Sequence, residues 1–308
     1  MTLGERVRKA TRFPDPSYLP AMTPDAPGTL YLVSTPIGNL GDLSPRAAET
    51  LRGVALVLAE DTRHARVLLE HAHVRTKVAS YHEHNEAAAT PKIVARLRAG
   101  ESVALVSDAG TPLLSDPGAR LVRAAIEADA PVVAVPGASA LLAALVVSGL
   151  DASRFTFFGF LERKGRERTA ALDALARLPH TAVLYEAAPR VAATLADLVE
   201  RGGGERAAVV ARELTKKFEE VRRGTVHALA RYYEDTPPRG EVVLVIAGAP
   251  PTAIDGAADA ARARAAALRA RGARAGDIVI ALAAEFGLAR NAAYRLAHGS
   301  GDASQGDE

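Results

Sequence analysis

Short apolar runs alternate with helical stretches along most of this sequence, and this alternation constrains the fold more than any other feature. In the first half the runs are continuously apolar, as in Val103–Val106 and Val132–Val135. Strands of this kind are buried on both faces, which is typical of a parallel sheet covered by helices. The sequence therefore predicts an α/β fold. In the first half we predict strands at 30–34, 55–58, 78–81, 103–106 and 132–135, and helices at 45–51, 62–71, 91–98, 119–128 and 139–147.

The pattern changes around residues 148–154, and we predict a domain boundary near residue 150. A second α/β domain follows and ends at the proline pair 250–251. An alanine- and arginine-rich segment then predicts two or three helices, broken at Gly272 and Gly287. The strands predicted for the second half are 155–160, 181–185, 207–211, 219–223 and 241–247, and its helices are 166–178, 190–200 and 226–233. The expected parts are a flexible tail (1–28), two α/β domains (29–148 and 149–250), a small helical domain (251–298) and a disordered tail (299–308).

Composition narrows the functional classes. The sequence has 308 residues, enough for about two domains, and no apolar run approaches the roughly 18 residues of a membrane helix. It has no cysteine, which excludes disulfides, thiol catalysis and thiolate metal sites. Residues 1–20 are basic and proline-rich without an apolar core, so we expect no secretory signal, and the absence of cysteine fits a cytoplasmic protein. The net charge of +2 means that any site for a polyanion must be local.

Three small-residue turns follow predicted strands, at 34–42, 107–118 and 136–140. Anionic or nucleotide-like ligands bind at such strand ends, although tight strand-to-helix packing explains the first and third turns equally well. In the second turn, Asp116 followed by Pro117 is typical of a helix start. Asp108 comes several residues earlier, at the end of the strand, where a carboxylate could accept hydroxyls or pair with a cation. Neither phosphate-loop pattern, G-x-x-x-x-G-K-[ST] or G-x-G-x-x-G, follows any strand.

Charged clusters lie at other strand ends. The segment 60–64 has an acidic helix start that stability alone could explain. The segment 82–86 has metal-ligand types but no distant third ligand, so we favour a solvated loop and expect no metal. Glu186 with Arg190, and the segment 212–217, place charges where a cleft between domains would lie. The arginine-rich helices carry seven arginines against two acids between residues 262 and 295. These arginines could form an RNA-binding surface, or they could simply be solvated helix faces.

Several of these motifs occur together and in order across residues 29–250: STPIGNLGD (34–42), AEDTRH (59–64), HEHNE (82–86), SDAGTPLLSDPG (107–118), VPGAS (135–139), YE (185–186) and ARELTK (211–216). In them the chain resembles the bacterial 16S ribosomal RNA (cytidine) ribose 2′-O-methyltransferases of the RsmI type. That family belongs to the tetrapyrrole-methylase-like class of S-adenosylmethionine-dependent methyltransferases. Where tetrapyrrole-binding members of the class have a G-x-G-x-G first loop, this chain has TPIGNLGD, which through the resemblance favours a nucleic-acid substrate.

The resemblance implies a two-domain α/β methylase with S-adenosylmethionine in the cleft, a small helical C-terminal extension, the small ribosomal subunit as partner, and a homodimer. It implies cofactor-binding positions at Pro36, Gly38, Asp108, Gly110, Thr111, Ser139, Ala140, Tyr185 and Ala211. Candidates for contact with the RNA are Arg63, Asn85, Lys164, Arg212 and Lys216.

Methyl transfer to a ribose hydroxyl needs alignment of oxygen and methyl, and a group that removes the hydroxyl proton. The catalytic candidates are Glu60, Asp61, Arg63, Glu186 and Glu213, and no spacing chooses among them. Two alternatives stay open. A tetrapyrrole methylase on the same fold would place a labelled methyl group in a porphyrinoid instead of RNA, and a non-catalytic ribosome-assembly factor would transfer none.

Overall fold

The computed structural model describes residues 26–250, 253–286, 288 and 290–298. The tails expected at 1–28 and 299–308 therefore fall almost wholly outside the described residues, as does Gly287. Two compact units divide the chain. Of the described residues, the main unit contains 26–176 and 180–247, and the helical unit contains 177–179 and those from 248 to 298. Both sheets lie in the main unit, and the domain boundaries expected at 148 and 250 stay predictions.

The first sheet has five parallel strands in the order β3-β2-β4-β1-β5. Successive residues of β1 pack in different hydrophobic clusters. Leu30 packs on one face of the sheet, and Tyr31 and Val33 pack on the other. The prediction of a parallel sheet buried on both faces is thereby confirmed. The strands are β1 Leu30–Val33, β2 Leu56–Ala59, β3 Val78–Ser80, β4 Val103–Val106 and β5 Val132–Val135, and the helices are α1 Pro45–Gly53, α2 Thr62–His71, α3 Glu86–Arg98, α4 Ala119–Glu127 and α5 Ala140–Ser148.

The starts of the first helices follow local capping chemistry. The Ser44 hydroxyl accepts a hydrogen bond from the Ala47 amide at 3.1 Å before α1, and the Asp61 carboxylate accepts from the Arg63 amide at 2.8 Å before α2. Helix α3 begins at Glu86, five residues before the predicted start at Pro91. The proline lies inside the helix and removes one backbone donor. Burial of the Ile93, Val94 and Leu97 side chains stabilises the helix through this position.

The second sheet is mixed, in the order β6-β7-β10-β8-β9, with β6 and β7 parallel and the other pairs antiparallel. Its core includes Val183 and Val245 together with Leu141 and Leu145 of α5, so the helix that follows the first sheet packs against the second sheet inside the main unit. The strands are β6 Phe155–Phe160, β7 Thr181–Ala187, β8 Ala207–Arg212, β9 Glu220–Thr225 and β10 Glu241–Ile246, and the helices are α6 Arg166–Arg177, α7 Val191–Leu198 and α8 Val226–Asp235.

The helical unit contains α9 Ala253–Ala270, α10 Ala275–Phe286 and α11 Arg290–His298. Gly272, at φ +78°, lies in the turn between α9 and α10, as the sequence predicts. The core of this unit is made of small and aliphatic side chains, among them Ala261, Ala265, Ile278 and Leu282. Within the described part of the chain, no helix is both long and apolar enough to cross a membrane. The fold class, α/β sheets followed by C-terminal helices, is confirmed.

Candidate active site

Three loops meet at the carboxyl ends of neighbouring strands β4, β1 and β5. Thr35 and Gly110 form an isolated bridge, with the Thr35 amide donating to the Gly110 carbonyl at 2.8 Å and the reverse bond at 3.1 Å. The Ser34 hydroxyl donates to the Thr111 hydroxyl at 3.2 Å, and Thr111 donates to the Ala138 carbonyl at 3.2 Å. The three predicted turns are therefore joined into one frame by backbone groups and hydroxyls.

The loop after β4 bends sharply, because Leu113 and Ser115 both adopt φ +71° and Gly118 adopts φ +133°. Helix α4 begins at Ala119 with Gly118 as its N-cap and no side-chain cap. The interpretation of Asp116 as part of a helix start is therefore wrong. The positive φ values redirect the chain before the helix, and the Asp116 side chain lines a cavity instead.

This cavity has a volume of about 360 Å³, and its walls come from the segments that follow the strands of the first sheet and from the second half of the main unit. Such a volume lies within the range of small-molecule sites. One wall is apolar, with Ile37, Leu114, Leu214 and Val243. The other lining residues are Glu60, Asp108, Ala109, Thr111, Ser115, Asp116, Ala140, Phe160, Tyr185, Glu186, Ala187, Ala211, Gly240, Glu241 and Val242.

Three carboxylates lie around one side of the cavity. Burial, together with the negative charges of Glu60 and Asp108, raises the pKa of Asp116 to about 6. Asp108 is tied to the start of α2, since its Oδ1 accepts from the Asp61 amide at 3.0 Å and its Oδ2 lies 3.6 Å from His64 Nδ1. This side of the cavity is therefore suited to a cationic or hydroxyl-bearing ligand.

Aromatic rings form another part of the lining. The Tyr185 ring packs edge-on against Phe157 at 4.9 Å between centroids and lies 5.4 Å from Phe160. Burial, with the Asp116 charge as a smaller contribution, raises the pKa of the Tyr185 hydroxyl. Tyr185 therefore stays a neutral phenol at ordinary pH.

The Glu186 side chain is engaged in a buried network. It is 1% exposed, its Oε1 lies 2.9 Å from Arg190 Nε, and its Oε2 accepts from the Thr194 hydroxyl at 2.6 Å. Arg190 in turn donates to the Leu161 carbonyl at 2.6 Å. The carboxylate therefore orients Arg190, and Arg190 holds the chain after β6. As a proton acceptor it would have to give up these partners.

Glu213 and Lys216 form a second engaged pair. Glu213 Oε1 accepts from Lys216 Nζ at 3.0 Å and from the Glu241 amide at 3.0 Å. These hydrogen bonds, the amide's first, lower the pKa of Glu213. Lys216 Nζ also contacts Glu241 Oε2 at 3.0 Å; burial disfavours its charge, but the hydrogen bonds with both glutamates outweigh burial and raise its pKa. Its stem runs so close to Gly38 that an added Cβ there would lie 2.3 Å from Lys216 Cγ.

Asp61 and Arg63 pair with each other at the start of α2, with Arg63 Nη2 2.5 Å from Asp61 Oδ2. Hydrogen bonds from the Arg63 side chain and amide hold the pKa of Asp61 well below its usual range. Among the RNA candidates, Asn85 organises its own turn, accepting from the His82 amide at 3.0 Å and donating to the Ser80 carbonyl at 3.1 Å. These contacts account for both carboxamide ends.

The predicted site residues separate by position. Of the cofactor candidates, those that line the cavity are Asp108, Thr111, Ala140, Tyr185 and Ala211, and those that lie outside its lining are Pro36, Gly38, Gly110 and Ser139. Among the catalytic candidates, Glu60 and Glu186 line it. The candidates for RNA contact, Arg63, Asn85, Lys164, Arg212 and Lys216, lie outside the lining. Arg212 pairs with Glu220 at 2.7 Å. The roles of all these residues stay predictions.

Sequence reasoning missed several lining residues. Asp116 was within a recognised motif but looked like a cap, and Phe160 ends an aromatic-rich strand that gives no sign of facing a cavity. Glu241, Val242 and Val243 come from β10, which carries no motif. In the part of the chain that the structure describes, no group of three His, Cys, Asp or Glu side chains could hold a metal ion.

Comparison with known proteins gives consistent matches. Residues 29–230 match the family model for tetrapyrrole (corrin/porphyrin) methylases. A protein of Synechocystis, ribosomal RNA small subunit methyltransferase I, is 53% identical over 224 residues, covering 73% of this chain and 80% of that protein. The protein of the same name from Pseudomonas aeruginosa is 49% identical over 72% of this chain and 79% of its own length.

Solved structures share the fold. Uroporphyrin-III-C-methyltransferase from Thermus thermophilus is 25% identical with a TM-score of 0.51, covering 71% of this chain and 94% of that chain. A diphthine synthase structure, 16% identical, has a TM-score of 0.55 over 71% of this chain and 89% of its own. One Thermus thermophilus structure of the uroporphyrin enzyme is a complex with S-adenyl homocysteine, at 19% identity and a TM-score of 0.52 over 71% of this chain and 97% of that chain.

Proposed function

This chain belongs to the tetrapyrrole (corrin/porphyrin) methylase family, and we propose that it is an S-adenosylmethionine-dependent methyltransferase acting on the RNA of the small ribosomal subunit. The observation that carries the proposal is the 53% identity, over nearly three-quarters of the chain, to a ribosomal RNA small subunit methyltransferase I. The cavity between the two sheets supports it with a suitable volume and lining.

The lining fits S-adenosylmethionine by its chemistry. Asp108 supplies a carboxylate for a hydroxyl or cationic group of the cofactor. The apolar wall of Ile37, Leu214 and Val243 suits the flat adenine ring. When bound, the cofactor supplies an activated methyl group on a positively charged sulfur.

The chain's own residues must position the acceptor hydroxyl and take its proton. Holding the oxygen in line with the methyl group supplies much of the rate. Glu60 and Asp116 both line the cavity, whereas the carboxylates of Asp61, Glu186 and Glu213 are held by neighbouring donors. The proposal gives proton acceptance to Asp116, since its pKa of about 6 makes it a stronger base than an ordinary carboxylate and leaves it ionised at neutral pH.

The finer parts of the proposal follow the family resemblance. The acceptor is the ribose 2′-hydroxyl of a cytidine in 16S ribosomal RNA, the protein works in the cytoplasm, and it forms a homodimer. A tetrapyrrole acceptor is less well supported, because the curated relatives at about half identity carry the name of a ribosomal RNA methyltransferase.

A single experiment tests the activity. Purified protein is incubated with labelled S-adenosylmethionine and small ribosomal subunits from cells that lack the gene. The position of any added methyl group in the RNA is then determined by mass spectrometry. We expect one added methyl group on a cytidine ribose, at a linkage that then resists alkaline cleavage because the 2′-oxygen is blocked. A methyl group on a base, or transfer to a porphyrinoid instead, would overturn the proposal, and absence of transfer would favour an assembly factor.

A further inference from the structure

Strand β6 contains a bulge just before its end. Phe157 pairs with Val183 and Phe160 pairs with Tyr185, so three steps along β6 match two steps along β7. Gly159, at φ +64°, accommodates the extra residue. In a regular strand, Phe157 and Phe160 would point to opposite faces. The bulge instead brings Phe160 to the same face as Phe157 and Tyr185.

Phe160 reaches the cavity but is not enclosed by it. Its ring lies 5.4 Å from the Tyr185 ring at an interplanar angle of 56°, and the side chain lines the cavity. It is nonetheless 59% exposed, so it lies where the cavity opens to solvent. A large exposed apolar side chain beside a site points to a partner that covers it. The ring is held on one side by Tyr185 and is accessible elsewhere.

A basic segment follows this aromatic residue directly. Residues 162–166, which we call the basic loop, are all exposed and contain Arg163, Lys164 and Arg166 against Glu162. Exposed cations beside an accessible aromatic ring match the chemistry of a nucleic-acid strand, whose phosphates are anionic and whose bases have flat faces.

The backbone at the start of this loop is held in place from two sides. Arg190 donates to the Leu161 carbonyl at 2.6 Å, and Arg168 donates to the Glu162 carbonyl at 3.2 Å. Arg190 is itself oriented by the buried Glu186. The basic loop therefore starts from a fixed point beside Phe160, which lowers the entropy cost of binding through it.

We propose that Phe160 stacks on a nucleobase of the RNA substrate and so holds the acceptor nucleotide at the entrance of the cavity, while the basic loop contacts the neighbouring phosphates. Single-stranded or splayed-out RNA bases are commonly held by such aromatic stacking. The inference rests on the proposed function, because it assumes an RNA substrate. Phe160 is thus a substrate-positioning residue, and we expect its replacement to leave cofactor affinity unchanged.

The test compares Phe160→Leu, which keeps an apolar side chain against Tyr185 but removes the flat ring, with Phe160→Tyr, which keeps the ring. Affinity is measured for small ribosomal subunits lacking the modification, and cofactor affinity is measured by calorimetry. We expect Phe160→Leu to weaken subunit binding roughly five- to a hundredfold, the range for loss of one stacked base. Phe160→Tyr should stay within about threefold of wild type. The matched control is Phe155→Leu, since Phe155 is an exposed phenylalanine on the same strand and lies outside the cavity lining.

The outcomes separate this inference from the proposed function. Unchanged subunit affinity in a folded Phe160→Leu protein would overturn the stacking role. An equal loss of cofactor affinity would also overturn it and would make Phe160 part of the cofactor wall. If wild type binds the subunit but transfers no methyl group, the proposed function fails while the binding comparison still decides the role of Phe160.

A second variant, which changes only exposed side chains, tests the loop independently. In Arg163→Gln, Lys164→Gln, Arg166→Gln the three charges are removed together. If they neutralise phosphates of single-stranded RNA, the slope of log affinity against log salt should flatten by about 0.7 for each phosphate that is no longer neutralised. An unchanged slope would remove the basic loop from the inference.

Discussion

The two halves of the main unit hold their strand ends in different ways. At the ends of β1, β4 and β5, the loops are joined by backbone amides and hydroxyls, as in the Thr35 to Gly110 bridge. In the second half, charged side chains make the contacts, as in the Glu186–Arg190 and Arg212–Glu220 pairs. The cavity lies between these two kinds of frame.

This difference bears directly on which carboxylates can act on a ligand. In the second half, Glu186 and Glu213 already accept hydrogen bonds from cations and amides, so their charge is used in holding the fold. In the first half the loops after β1, β4 and β5 are joined by uncharged groups, and the carboxylates of Glu60, Asp108 and Asp116 line the cavity, with one Asp108 oxygen accepting from the Asp61 amide. Acidic residues that look equivalent in the sequence, each at the end of a strand, therefore differ in role. The difference depends on whether charged or uncharged groups join the loops in their half of the main unit.

A change in the loops after β1, β4 and β5, which uncharged groups hold together, should have the largest effect. Gly118→Ala adds a Cβ 2.5 Å from the buried Leu105 Cδ2 at a φ of +133°, so both strain and overlap destabilise the fold. We expect a loss of about 4 kcal/mol in the free energy of unfolding, measured by guanidinium denaturation. The control is Gly149→Ala, at φ +76° with open space around it, which should cost about 1 kcal/mol. Equal losses would show that overlap with Leu105 is unimportant.

Among the ion pairs that hold the second half of the main unit, the corresponding change is Glu186→Gln. It leaves Arg190 largely buried and without its counter-charge, which should cost about 3 kcal/mol of unfolding free energy. The Arg212–Glu220 pair offers a control, because the Glu220 side chain is 30% exposed whereas that of Glu186 is fully buried, so Glu220→Gln should cost about 1 kcal/mol or less. Because Glu186 supports the fold, kcat of Glu186→Gln should stay within a few-fold of wild type at low temperature. A kcat that falls by two orders of magnitude in a stable variant would instead identify Glu186 as the base.

Asp108→Ala tests the carboxylates that line the cavity. Loss of a charged hydrogen bond to the cofactor should weaken S-adenosylmethionine binding by roughly ten- to a hundredfold, measured by calorimetry. Asp108→Asn keeps an oxygen that can accept from the Asp61 amide, so it separates the charge from the anchoring contact. Glu127→Ala, an exposed acid outside the cavity lining, serves as control and should leave the affinity unchanged. Wild-type affinity in both Asp108 variants would remove this residue from the cofactor site.

The smallest effect concerns the pH dependence of stability at Asp116. Folding raises its pKa from 3.8 to about 6, so the ionised form is disfavoured in the folded state. Its ionisation therefore costs stability progressively between about pH 4 and pH 6, and the full cost is present above pH 6. We expect Asp116→Asn to be about 1 to 2 kcal/mol more stable than wild type at pH 8, with the gain vanishing near pH 4, measured by urea denaturation.

Asp151→Asn is the control with the opposite sign. Hydrogen bonds from Ser153 lower the pKa of Asp151, so its charge stabilises the folded state above the unfolded pKa, and that contribution is lost as the pH falls through the folded value. The variant should therefore be less stable than wild type at pH 8. A pH-independent difference for Asp116→Asn would contradict the placement of that carboxyl beside Glu60 and Asp108.

Much of the fold was predictable because its signals are local. The ends of α2 at Thr62 and His71 agree with the prediction, because the Asp61 cap and the helical spacing of the apolar residues specify a helix without reference to distant residues. The strands of the first sheet agree within about one residue for the same reason. The start of α3 was wrong by five residues, because burial of its later turns outweighed the local preference of Pro91.

The site was predictable only in part. The loops at 34–42, 107–118 and 136–140 were identified from their small residues, and five of the nine cofactor candidates line the cavity. The acids could not be sorted, because Glu186 is held by Thr194 and Arg190, and no spacing rule indicates that a carboxylate is buried and paired.

By itself, the sequence determined the alternation of strands and helices, the glycine and hydroxyl turns, and the motifs that identify the family. Each depends on neighbouring residues, whose backbone preferences and polarity act over one or two turns of chain. Only the tertiary structure decided that Asp116 faces a cavity instead of capping a helix, and that a bulge turns Phe160 toward Tyr185. Those outcomes depend on contacts between residues far apart in the chain, where burial and neighbouring charge outweigh local preference.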